Sequence, residues 1–140
     1  MQSEFRFLTR RLGPSLDALE AALRAAHLPD EAVLDLRLVA EEILTNVAKY
    51  GHGDEAEHEV LVRLELAPAE VTLVFADDGR PFDPLAAGPS GPAADGDRPA
   101  GGLGLELVRA LVDSAEYARV GPENVLRLRK RVGGGAGDVP

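Results

Sequence analysis

Val71-Thr-Leu-Val-Phe-Ala-Asp77-Asp-Gly79-Arg-Pro81-Phe82-Asp83 is the stretch on which the reading of the fold turns. Val71, Leu73 and Phe75 recur at period two, which predicts a strand, and Asp77 continues their face. A carboxylate on the buried face of a strand needs a donor. An adenine amino group is one group that supplies it. Asp78 points the other way, toward solvent. Gly79 follows at once and permits close approach of backbone to a ligand. The same letters also suit a strand that simply ends in an Asp-Asp-Gly turn.

Upstream, Val60, Val62, Leu64 and Leu66 alternate, so 58–67 is the expected hairpin partner, joined through Pro68-Ala69-Glu70. Downstream, residues 84–102 are rich in Pro, Gly, Ala and Asp and hold one large aliphatic residue, Leu85. Such a segment cannot bury a core. It reads as a mobile loop, and its length inside a compact domain suits a lid. The run Gly101-Gly102-Leu103-Gly104-Leu105 then opens a helix expected over Leu103–Val112. Free N–H groups at a helix start attract phosphate, although a plain helix start or a hinge accounts for the same glycines. No Lys-Ser/Thr follows, so this is not a Walker A loop, and no strand precedes it, so it is not a dinucleotide fingerprint. Two strands, 115–120 and 124–132, close the domain, and 133–140 is expected to be a disordered tail.

Toward the N-terminus, 4–10 is a strand candidate. A helix is expected from Gly13-Pro14-Ser15 to about His27, with Leu16, Leu19 and Leu23 on one stripe. Asp30 is the expected N-cap of the next helix, on which Leu36, Val39, Ala40, Ile43, Val47 and Tyr50 share a stripe until Gly51-His52-Gly53 stops it. Glu42 and Asn46 lie one turn apart on one face, with Lys49 near it and Glu41 turned away. A carboxylate, a carboxamide oxygen and an ammonium together suit phosphate plus Mg²⁺, which takes few protein oxygens. A solvated polar face produces the same spacing.

The bulk numbers bound the function. The 140 residues make one ordinary domain, expected over 1–132, with an apolar content of 45% and only 4% aromatics, so the core is aliphatic. A net charge of −9 argues against nucleic-acid or anionic-membrane surfaces, but not against a local phosphate site built from backbone N–H groups. The absence of cysteine excludes disulfides and thiolate metal sites. His27, His52 and His58 show no zinc spacing. No signal segment and no membrane span is evident, so a cytoplasmic location is the default expectation.

The ordered set Glu42-Ile-Leu-Thr-Asn46, Asp77-Asp-Gly79-Arg-Pro-Phe82-Asp and Gly101-Gly-Leu-Gly104-Leu resembles the N, G1 and G2 boxes of the GHKL ATPase and kinase superfamily. Within it, the chain is similar to bacterial anti-sigma-factor serine kinases and related stand-alone ATP-binding regulators. The resemblance runs from the first strand to about Val132. It implies an α+β two-layer sandwich, with helices on one face of a mixed, mostly antiparallel sheet and ATP held under a lid at about 84–102. It implies Asn46 as the Mg²⁺ ligand and Asp77 as acceptor for the adenine amino group, with Gly79 beside the base. Gly102 and Gly104 would present backbone N–H groups to the phosphates, and Lys49, Phe82, Gly101, Leu103 and Leu105 fall at nucleotide-binding positions. Glu42 would be the general base for a substrate serine. The implied partners are an anti-sigma-factor antagonist and a sigma factor, with a homodimer as the assembly. A nucleotide-gated binder with little catalysis is the alternative.

The chain departs from the anti-sigma pattern in places. Tyr50 stands where that group commonly has His, Ala100 where an Arg often precedes the Gly run, and Glu123-Asn124-Val125 where Gly-Thr often opens the last strand. Asn46-Val-Ala-Lys49-Tyr50 looks more like histidine kinases, whose dimerising hairpin with a phospho-accepting His has no counterpart in the sequence.

Overall fold

The computed structural model describes residues 2–51, 57–85 and 100–132, without the side chains of residues 50, 51 and 100–105. The predicted lid segment from 86 to 99, His52 and the tail from 133 lie outside the described residues.

Alternation builds the sheet. Strands β1 (Gln2–Leu8), β2 (Glu59–Ala67), β3 (Glu70–Asp77), β4 (Ser114–Val120) and β5 (Glu123–Arg131) lie in the order β1-β2-β3-β5-β4. All four pairings are antiparallel, so the mixed component implied by the resemblance does not occur among the described strands. The two-layer α+β class stands. Register places Phe5, Val62, Phe75, Leu126 and Tyr117 in one cross-strand row, and Leu64, Leu73, Leu128 and Ala115 in the next. These rows form the floor of the core. Gly121 takes a left-handed φ of 59° in the tight β4–β5 turn, a conformation glycine adopts without Cβ strain.

Three helices cover that floor. Helix α1 (Leu12–Ala25) buries Leu16, Leu19 and Leu23, as their spacing predicts. Helix α2 (Asp30–Asn46) buries Leu36, Val39, Ala40 and Ile43, and α3 (Ala100–Leu111) buries Val108. Helix α2 packs against both other helices. The opposite face of the sheet carries a charged lattice. Arg63 and Arg127 both reach Glu65 there, at 2.8 and 3.6 Å, and Val74 beneath is only 4% exposed. Long basic side chains shield apolar surface with their methylene stems in this way.

Three expectations about helix ends are corrected. Pro29, in extended backbone, is the N-cap of α2; Asp30 is its first helical residue and makes no side-chain cap. Its Oδ1 instead accepts from Arg24 at 2.7 Å, because that guanidinium projects from the end of α1. Beyond Asn46, the α-helix gives way to a π-helical turn over Val47–Gly51. The widened turn changes which side chains share a face, which a 3.6-residue stripe running through Val47 and Tyr50 does not register. Finally, α3 begins at Ala100 rather than Leu103. The first turn of a helix donates no intrahelical N–H bonds, so a glycine run can form it despite poor propensity.

Candidate functional site

The ends of the elements decide where the site can form. Lys130, in register with Val71, lies at the end of the sheet away from Asp77, which pairs with Asn124. Its ammonium donates to the Leu111 carbonyl at the C-terminus of α3 (2.7 Å) and lies 3.6 Å from Asp35 near the start of α2. Helices α2 and α3 therefore run antiparallel over β5. From Asp35 to Asn46 the helix advances about 17 Å. From Lys130 to Asn124 the strand advances about 20 Å. Asn46, the first turn of α3 and Asp77 accordingly gather at one end of the molecule, opposite Lys130.

Asn46 is the last residue of α2 and only 1% exposed, yet neither Oδ1 nor Nδ2 has a hydrogen-bond partner among the described residues. Native structures seldom leave a buried amide unpaired, and doing so costs roughly 1–3 kcal/mol. Its charged neighbours differ in exposure. Glu42, one turn earlier, is half-buried, Glu41 is exposed, and Lys49 in the π turn is exposed. Such turns are frequent at functional sites.

Asp77 ends β3 on the buried face, 7% exposed, while Asp78 is exposed. The Gly79 N–H donates to Asp77 Oδ2 at 2.9 Å. A carboxylate has about four lone-pair sites, so this bond orients the group and leaves it acceptor capacity. Gly79 is buried and Phe82 is half-buried. In the first turn of α3, the N–H groups of Gly101 and Gly102 have no intrahelical partner by helical geometry. Gly104 lies one turn in, where its N–H is within reach of the Ala100 carbonyl. Leu103 and Leu105 are in the same helix.

Sequence reasoning did not single out Asn124, Tyr117 and Arg119. Asn124 is 4% exposed, and its amide bonds the Arg80 carbonyl, the Phe82 N–H and the Tyr117 hydroxyl. The signal was present. Asn124, Leu126 and Leu128 alternate, which puts Asn124 on the buried face in line with Asp77. The loop continues to Leu85, whose carbonyl accepts from Arg109 of α3.

Two open clefts occur among the described residues. One of about 550 Å³ lies on the charged sheet face beside Thr72, Arg127 and Arg129, and one of about 470 Å³ touches Asp77, Asp78 and His58. Neither is lined by Glu42 or Asn46. The buried amide and the aligned element ends therefore define the site better than cavity volume does. Among the described residues no group of three His, Cys, Asp or Glu side chains could hold a metal, so a cation here would rely on Asn46 and non-protein oxygens. That donor set suits Mg²⁺, which usually keeps several waters and phosphate oxygens.

A family model described as the histidine kinase-like ATPase domain matches residues 5–130. The chain belongs to this family. The serine-protein kinase RsbW of Bacillus velezensis is 32% identical over 100 residues, covering 68% of this chain and 62% of the relative. The chain thus spans less than two thirds of the curated relative it matches. The blue-light activated histidine kinase of Erythrobacter litoralis EL346 superposes with a TM-score of 0.58 at 19% identity, over 85% of this chain and 41% of that one. At that identity the likeness shows the shared fold. As a histidine kinase-like ATPase domain, the chain carries the fold's nucleotide-handling framework. Among its described residues, no helix is long and apolar enough to cross a membrane.

Proposed function

We propose that this chain is a Mg-ATP-binding regulatory serine/threonine protein kinase of the anti-sigma-factor type, which phosphorylates a small antagonist protein and sequesters a sigma factor. The observation that carries it is the buried Asn46 amide, without a hydrogen-bond partner among the described residues, one turn beyond Glu42. A metal ligand at Asn46 Oδ1 explains why an unpaired amide is tolerated there. Membership of the family supports ATP as the nucleotide, and the likeness to a serine-protein kinase supports the acceptor.

In this reading Asp77 accepts from the adenine amino group while Gly79 lies against the base. Gly101 and Gly102 present first-turn N–H groups to the phosphates, where the helix dipole adds to the attraction. Lys49 and the α3 residues Leu103, Gly104 and Leu105 border the same nucleotide. Mg²⁺, when bound, neutralises charge on the phosphates. Glu42 accepts the proton of the substrate serine hydroxyl as its oxygen bonds the γ-phosphorus and the bond to ADP breaks. Catalysis then rests on positioning and charge neutralisation plus one placed base.

The test is transfer of γ-phosphate to the antagonist protein that co-purifies with the chain. Glu42→Gln should lower the transfer rate by about 100-fold or more while leaving the Mg-ATP dissociation constant within about threefold. Transfer by this variant at the parent rate overturns the assignment of Glu42. Tight Mg-ATP binding without transfer by the parent protein selects the nucleotide-gated binder instead.

A further inference from the structure

The loop that follows Asp77 is held by the β4–β5 hairpin through side chains, not by strand pairing. Arg119 Nη1 donates to the Gly79 carbonyl at 2.7 Å. Asn124 Nδ2 donates to the Arg80 carbonyl at 2.8 Å, and the Phe82 N–H donates to Asn124 Oδ1 at 3.0 Å. The Tyr117 hydroxyl donates to the same Oδ1. Both ends of the Asn124 amide are therefore engaged. Turning it over would face its NH₂ with the Phe82 N–H donor and its oxygen with the Arg80 carbonyl, so one orientation is favoured. Asn124 also lies in register with Asp77, whose own carboxylate accepts from Gly79. A continuous chain of bonds thus runs from Tyr117 through Asn124 to the 79–82 loop and on to the Asp77 carboxylate.

We propose that Asn124, oriented by Tyr117, is a positioning residue that sets the preference for adenine over guanine. The inference rests on the assignment of Asp77 to the adenine amino group. Guanine presents a carbonyl oxygen where adenine presents its amino group, so a fixed acceptor at Asp77 rejects it. Discrimination of this kind depends on how rigidly the acceptor is aimed, because a loosened loop lets the mismatched group be avoided. Asn124 supplies that rigidity through its bonds to the Arg80 and Phe82 backbone. A staple that served folding alone would, when removed, weaken every nucleotide equally.

The experiment measures dissociation constants by calorimetry for Mg-ATP, Mg-GTP and Mg-tripolyphosphate, the last carrying no base. The parent protein should prefer ATP to GTP. Asn124→Ala should lose about tenfold of that preference, with tripolyphosphate affinity unchanged within about twofold. Tyr117→Phe removes one hydroxyl and keeps the ring, so it should move the ratio in the same direction by less. It carries the test if Asn124→Ala does not fold. Both variants retaining the parent ATP:GTP ratio overturns the role of Asn124, whatever their melting temperatures. A parent protein with no preference for ATP over GTP overturns the Asp77 assignment first, and this inference with it, and the two failures are distinguishable.

Discussion

At the scale of single residues, Asn46 makes the sharpest demand on the fold. Among the described residues its amide has no partner, and it is buried at the end of a helix whose neighbouring buried positions are aliphatic. If that amide were structural, removing it would destabilise the protein. If it is kept for a ligand, removing it should help the empty fold. Replacing an unpaired buried polar group with an apolar one of similar size is neutral or stabilising, and sites kept for function commonly carry this cost. Asn46→Leu should therefore leave urea-unfolding stability without ligand unchanged, or raise it by about 1 kcal/mol. The same variant should lose most of the stabilisation that Mg-ATP confers on the parent. A loss of stability without ligand, together with an intact response to Mg-ATP, would make Asn46 a packing residue.

At the scale of elements, the core was legible because burial imposes a period. Leu16, Leu19 and Leu23 needed only the helical repeat, and Val71, Leu73, Phe75 and Asp77 only strand alternation. What stayed hidden lies where no period applies. The π turn after Asn46 leaves the order of polar and apolar letters unchanged, and the glycine run expected to open α3 does not mark its first residue, because a first turn needs no intrahelical donors. Asn124 was hidden for another reason. Its partner strand is β3, distant in sequence, so its place opposite Asp77 follows from a pairing that local letters do not specify. The α1–α2 junction shows what such non-local contacts do. Arg24 bonds Glu20 and Asp30, and Arg37 bonds Glu20 and Asp17 across the two helices. The hydrogen bond from Arg24 leads in holding the Glu20 carboxyl below its ordinary value of 4.5, with Arg37 adding to it. Because the folded-state value is depressed, the contribution is fully present above about pH 4.5 and is lost as pH falls through the lower folded value. Glu57 accepts from Arg11 at 3.0 Å, and that hydrogen bond likewise lowers its carboxyl's pKa. Glu20→Gln should flatten the fall in stability below pH 4.5 while changing the acid response of this separate pair little. Denaturant titrations at neutral pH and below pH 4.5 measure it, and an unchanged pH slope would remove the junction from the acid response.

At the scale of the whole molecule, the two ends have different work. Lys130 ties α2, α3 and β5 at one end, through the Leu111 carbonyl and Asp35. The opposite end collects Asn46, Asp77 and the first turn of α3, each at a place where an element begins or stops. Ligand binding at that end should reinforce the fold. A nucleotide that binds only the folded state stabilises it by about 2.7 kcal/mol at 100 times its dissociation constant. In a chain of this size each kcal/mol raises the melting temperature by roughly 4 °C, so saturating Mg-ATP should raise it by about 10 °C. ATP with EDTA should give a smaller shift, because the phosphates then reach Asn46 without the cation that joins them to its amide oxygen. Thermal melts with Mg-ATP, ATP–EDTA and Mg²⁺ alone separate the contributions. Equal shifts with and without Mg²⁺ would detach Asn46 from the metal, and no shift at millimolar Mg-ATP would contradict a nucleotide pocket at this end of the molecule.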